Sequence, residues 1–173
     1  LSEIGVPRRH VQSLTNYRES VSVKAALEWT YRGFLMLCGD SGTGKSFTAV
    51  RLLRKYLNRC IPDRMDRNTW REAENSCSST AWINASELYG DREAMATAKM
   101  ANLLVLDDFG GDGDMKANHS AINRVVSARY DAMLPTIITT GLMIESIKNR
   151  YGCRTAEKIV GKTGDGGMIV VCG

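Results

Sequence analysis

Eight consecutive residues, Gly39-Asp40-Ser41-Gly42-Thr43-Gly44-Lys45-Ser46, fit the spacing G-x-x-x-x-G-K-S of a phosphate-binding loop. The residue types account for the chemistry. Gly39, Gly42 and Gly44 permit backbone angles closed to other residues, so successive N–H groups can curl round an oxyanion. A helix starting just after Gly44 would aim unpaired N–H groups and its positive dipole end at the same point. Lys45 would then reach the β- and γ-phosphates of a nucleoside triphosphate, and the Ser46 hydroxyl would join the shell of a Mg²⁺ ion. The whole run from Gly39 to Phe47 is expected to contact the nucleotide.

A phosphate loop names a ligand, not a reaction. The reaction needs the acidic pair Asp107-Asp108, which ends the apolar run Leu103-Leu104-Val105-Leu106. Asp107 fits the carboxylate that holds Mg²⁺ across the nucleotide from the loop. Asp108 would accept a proton from the attacking water. Thr139-Thr140-Gly141 closes the next apolar run, and Thr140 would hold that water or touch the γ-phosphate. Arg150, Arg154 and Lys158 form a basic set, the last two sharing one helix face. They would either stabilise charge on a phosphate bound by a neighbouring subunit or be a solvated surface.

These groups need a scaffold that brings them to one place. Phe34–Cys38 is an apolar run of strand length just before the loop, and a helix is predicted from about Ser46 to Asn58. Further strands are predicted at residues 81–84, 103–106, 136–140 and 168–172. Helices are predicted over residues 21–31, 86–99, 118–133 and 144–160, with Ser86 as the cap of the second. Strands alternating with helices imply a parallel sheet covered on both faces. Arg51, Arg54, Lys55 and Arg59 share the polar face of the helix after the loop, continued by Arg64, Arg67 and Arg71. That face is either a track for DNA phosphates or solvated surface. Trp70 and Trp82 offer the same choice between stacking on bases and filling the core. Residues 61–78, with Pro62, read as a loop or insertion, and His10 beside Arg8 and Arg9 as solvated surface.

Composition narrows the classes. At 173 residues the chain suits one domain with a proper core. No apolar stretch reaches membrane-span length and no signal peptide opens the chain. Five cysteines without C-x-x-C spacing argue for reduced thiols in a cytoplasmic setting, against zinc or a disulfide framework. A net charge of +4 permits nucleic acid as a partner without demanding it. The chain opens on Leu1 rather than methionine, which leaves room for a preceding region. Three motif matches fail. Ala156 stands where a second phosphate loop ending at Gly161-Lys162-Thr163 needs its first glycine. Asp112-Gly113-Asp114 lacks the remaining ligands of a calcium loop, and His119 has no well-spaced ligand partner.

Leu104-Val105-Leu106-Asp107-Asp108-Phe109-Gly110 and Pro135–Gly141, behind Gly-Asp-Ser-Gly-Thr-Gly-Lys-Ser, resemble the ATPase domain of bacterial and phage helicase loaders of the DnaC/DnaI type. Leu1–Arg9 is similar to the linker preceding that domain, and Tyr151-Gly152-Cys153-Arg154 also matches. The resemblance spans nearly the whole chain. It implies an α/β fold of the P-loop NTPase type (AAA+, ASCE), with residues 1–20 as linker and residues 21–173 as ATPase core. It also implies ATP and Mg²⁺ between subunits of an ATP-dependent homo-oligomer, and single-stranded DNA as a partner. A replicative helicase would bind through a region outside this chain. Two positions depart from the pattern. Gly141 replaces the usual water-sensing asparagine, with Thr140 as its stand-in. Lys158 falls where the inter-subunit arginine is expected and lacks its bidentate fork, which leaves the role to Arg154 or weakens activation in trans.

Rival readings predict other behaviour. A transposition helper of the IstB type shares most of these motifs and would bind duplex DNA. A small-molecule kinase on the same scaffold would need a basic lid, and Gly161–Gly167 is too acidic and glycine-rich to make one. A nucleotide-dependent binding module would bind ATP and barely hydrolyse it.

Overall fold

Five apolar runs become five strands of a single parallel sheet. The computed structural model describes residue 1 and residues 4–12, 20–60, 79–111, 116–161 and 167–173. In chain order the elements are α1 (Arg8–Gln12), α2 (Val21–Leu27), β1 (Phe34–Cys38), α3 (Lys45–Cys60) and β2 (Thr80–Asn84). A 3-10 turn (Ala85–Leu88), α4 (Arg92–Met100), β3 (Leu103–Phe109) and α5 (Lys116–Asp131) follow. The chain continues through β4 (Thr136–Thr140), α6 (Ile144–Tyr151), α7 (Cys153–Val160) and β5 (Met168–Val171). The strand order is β2-β3-β4-β1-β5, and every pairing is parallel.

The alternation of side chains along the strands divides the core in two. Phe34, Met36, Leu104, Leu106 and Ile138 pack on one face with Ile122, Val125 and Val126 of α5. Leu35, Leu37, Val105 and Ile137 pack on the other with Ala49, Val50, Leu52 and Leu53 of α3. Helices on both faces make three layers, the architecture expected from the alternating pattern. Each fully buried aliphatic side chain contributes about 1.5–3 kcal/mol. Trp82 joins the second cluster at 6% exposure, so it is a core residue. Trp70, Pro62, Arg64, Arg67 and Arg71 lie outside the described residues, as do Asp112-Gly113-Asp114 and residues 162–166.

Three helix boundaries differ from expectation, two of them at a glycine with positive φ. The helix predicted over residues 21–31 stops at Leu27, and Tyr31 at φ 61° sends its hydroxyl to the Leu52 carbonyl at 2.8 Å. The helix predicted over 86–99 is broken by Gly90 at φ 86°. Asn84 caps the 3-10 turn through a capping box with Glu87, and Asp91 caps α4 by accepting from Glu93 and Ala94. The helix predicted over 144–160 divides into α6 and α7 at Gly152, where φ 91° is incompatible with an α-helix. Tyr151, just before that break, is buried against Phe109 and His119 at centroid distances of 4.7 and 4.8 Å.

A buried arginine ties the far end of the sheet together. Arg129 of α5 is fully buried and donates to the carbonyls of Ala98, Ala101 and Pro135 and to Thr136 Oγ1. Burial pulls its pKa down to about 10, which leaves it charged at neutral pH. Among the described residues no helix is long and apolar enough to cross a membrane.

Candidate functional site

Because β1, β3 and β4 run parallel, their C-terminal ends deliver the loop, the acidic pair and the threonines to one edge. Gly39 leaves β1 at φ 146°, and a Cβ there would run into the Cys172 carbonyl and lie 3.2 Å from the Thr43 hydroxyl. Cys172 N donates to the Cys38 carbonyl at 2.7 Å, which presses the end of β5 against the loop. Thr43 Oγ1 donates to the Asp40 carbonyl at 2.8 Å and shapes the turn from behind. The first turn of α3 is secured on Gly44, whose carbonyl accepts from the amide and hydroxyl of Thr48 at 2.8 and 2.9 Å. Lys45 Nζ donates to the carbonyls of Gly39 and Asp40 at 2.8 and 2.6 Å, so its ammonium lies inside the loop. Phe47 is buried beneath it.

A cavity of about 460 Å³ gathers Ser41, Gly42, Gly44, Lys45, Ser46 and Phe47 with Asp107, Asp108, Thr139 and Thr140. Its size is that of a small-ligand site. Asp107 is buried, and its Oδ1 accepts from Ser46 Oγ at 3.0 Å. A hydroxyl and a carboxylate oxygen in contact beside a phosphate loop suit a hard cation that keeps part of its water, as Mg²⁺ does. Asp108 is exposed in the same cavity at φ 56°, a left-handed conformation that aspartate tolerates better than most residues.

Two threonines divide their duties. Thr140 lines the cavity, while its hydroxyl donates to the Phe109 carbonyl at 2.6 Å and accepts from Leu142 N at 2.9 Å. Thr139 donates to Asp107 Oδ1 and accepts from the Asp108 amide, so it holds both acids at once. Sequence reasoning singled out Thr140 and missed Thr139, because threonine is simply a good strand residue. The only available signal was its adjacency to Thr140.

The basic residues of α6 and α7 lie elsewhere. Arg150 Nη1 donates to the Gly110 carbonyl at 2.5 Å, just beyond the acidic pair. Lys158 contacts Asp131 at 3.6 Å and lies 5.4 Å from the centroid of the Tyr130 ring. Arg154 is exposed, and neither it nor Lys158 lines the cavity. On α3, Lys55 donates to the Leu27 carbonyl and Arg59 lies over the Tyr31 ring at 5.2 Å, so that basic face is partly engaged within the domain.

His10 corrects an expectation. Instead of solvated surface it is half-buried, 5.9 Å from the Trp82 ring, and lines the cavity together with Arg9. Burial lowers its pKa, opposed by the negative charge of Asp107.

No protein-family model and no curated protein sequence matches the chain. Solved structures do. The DnaC helicase loader superposes at a TM-score of 0.64 with 16% identity, over 96% of this chain and 100% of that one. DnaI superposes at 0.62 with 14% identity, over 98% of this chain and 92% of that one. AMPPCP-bound DnaA from Aquifex aeolicus superposes at 0.61 with 16% identity, over 97% of this chain and 51% of that one. With the parallel order β2-β3-β4-β1-β5 and a phosphate loop leaving β1, these likenesses give the chain the AAA+ P-loop fold that DnaC, DnaI and DnaA share.

Proposed function

We propose that the chain binds ATP with Mg²⁺ and hydrolyses it, acting in DNA replication in the manner of a helicase loader. The contact between Ser46 Oγ and Asp107 Oδ1 carries this reading, since it joins the phosphate loop to the acidic strand end where a shared cation belongs. Loop amides from Gly39 to Ser46 would cradle the phosphates, with Lys45 exchanging the carbonyls of Gly39 and Asp40 for phosphate oxygens. Ser46 and Asp107 would hold Mg²⁺, which neutralises charge on the β- and γ-phosphates. Asp108 would take the proton of the attacking water, and Thr140 would help to position that water. Arg154 or Lys158 would act on the nucleotide of the next subunit in a homo-oligomer.

A DnaA structure that superposes at a TM-score of 0.57 is bound to AMPPCP and single-stranded DNA, which supports both ligands for this chain. ATP would close one subunit on the next around single-stranded DNA, and hydrolysis would release it. A replicative helicase would be a further partner, in the cytoplasm. The test is ATPase turnover with and without single-stranded DNA, for wild type, Lys45→Ala and Asp107→Ala. Both substitutions should abolish turnover. Normal turnover by Lys45→Ala would refute the site.

A further inference from the structure

Two residues of the cavity lining, Arg9 and His10, have no part in that chemistry, although they share the cavity with Asn84, Asp107 and Asp108. They belong to α1, remote in sequence from the loop, yet the segment carrying them is packed onto the domain. Val6 is buried in the same cluster as Trp82 and Leu103. Gly5, at φ 86°, approaches the Trp82 carbonyl so closely that a Cβ would lie 2.6 Å from its oxygen. His10 N closes the turn onto the Pro7 carbonyl at 2.9 Å.

The two side chains are also in register with each other. Arg9 Nε donates to His10 Nε2 at 3.2 Å, so the imidazole accepts at that nitrogen and steadies the guanidinium. His10 feels the charge of Asp107 and lies 5.9 Å from the Trp82 ring, which sets the pair on the β2–β3 side of the cavity. Asn84 and Asp107 are paired in register at the ends of β2 and β3, and Asp107 touches Ser46. This is the side of the loop toward which the terminal phosphate must point if Ser46 and Asp107 share its cation. Lys45 lies within the loop, among the carbonyls of Gly39 and Asp40.

We infer that Arg9 is a specificity-determining residue that grips the γ-phosphate in cis, with His10 as its positioning residue. The inference rests on the nucleotide reading above. A planar guanidinium matches a phosphoryl group through paired N–H donors, and its charge offsets a terminal phosphate that a diphosphate lacks. The chain would thereby carry its own cation for the triphosphate, whatever a neighbouring subunit adds. Arg8 is exposed and does not line the cavity, which makes it the internal control.

The test compares affinities for AMPPCP and ADP, each with Mg²⁺, in wild type, Arg9→Ala, Arg9→Lys, Arg8→Ala and Lys45→Ala. Arg9→Ala should weaken AMPPCP about tenfold while ADP stays within about twofold. Arg9→Lys should recover part of the loss, and Arg8→Ala should match wild type. Lys45→Ala should weaken both ligands. An unchanged AMPPCP-to-ADP ratio in Arg9→Ala, or an equal loss of both ligands, would overturn this role and leave the nucleotide site standing. Failure of wild type to bind either ligand would overturn the site and the role together.

Discussion

The Thr139 hydroxyl donates to Asp107 Oδ1 at 2.5 Å and accepts the Asp108 amide at 3.0 Å. One strand residue thus orients the carboxylate and ties down the backbone that leads to the second acid. Thr139→Val keeps the shape and removes both bonds. Leaving a buried partner unsatisfied costs about 1–3 kcal/mol, so the unfolding free energy from urea titration should fall by that amount, with a lower midpoint. Thr139→Ser should restore most of it.

Arg129 makes a prediction about stability alone, because it sits at the far end of the sheet from the cavity. Its four hydrogen bonds join the end of α4 to the start of β4. Arg129→Met fills similar space and abandons three carbonyls and a hydroxyl. We expect a loss of about 3–5 kcal/mol in denaturant titrations, comparable to breaking a buried charged cluster.

Alkaline pH should act through Tyr31. Burial pushes its phenol up from 10.0 to about 12, against the pull of the Arg59 charge. The fold therefore favours the protonated form. Its contribution is complete below pH 10 and is lost as pH rises toward about 12. Thermal melts of wild type across that window should fall more steeply than those of Tyr31→Phe. Parallel curves would contradict this account.

Between the two basic candidates of α7, exposure decides. Lys158 has an 18% exposed side chain engaged with Asp131, whereas Arg154 is exposed. Arg154→Ala should lower turnover at least about tenfold under conditions where subunits associate, and Lys158→Ala should lower it less. Mixing Arg154→Ala with Lys45→Ala subunits should restore activity, since each supplies what the other lacks.

Much of this site was legible from the chain alone because its signals are local. The loop spacing, the aliphatic run ending in two acids and the strand–helix alternation each lie within one short segment. What escaped depends on distant packing. Nothing near His10 reveals that Gly5 and Val6 anchor its segment beside Trp82. Picking out Thr139 beside Thr140 required knowing which face of β4 meets Asp107, and that is set by pairing with β3. The break at Gly152 was hidden for another reason. A single glycine within a helical pattern costs only about 1 kcal/mol, so local propensity does not demand an interruption there.

The position of β1 has a consequence for the newborn chain. Its two sheet neighbours are β4 and β5, which pair through Thr136–Thr140 and Met168–Val171. A ribosome must therefore synthesise past Thr140 before the strand feeding the loop gains any lateral support, and past Val171 before both flanks are filled. Such distant pairings are slow to form, so the capacity to hold a ligand should mature only after β5 has left the ribosome.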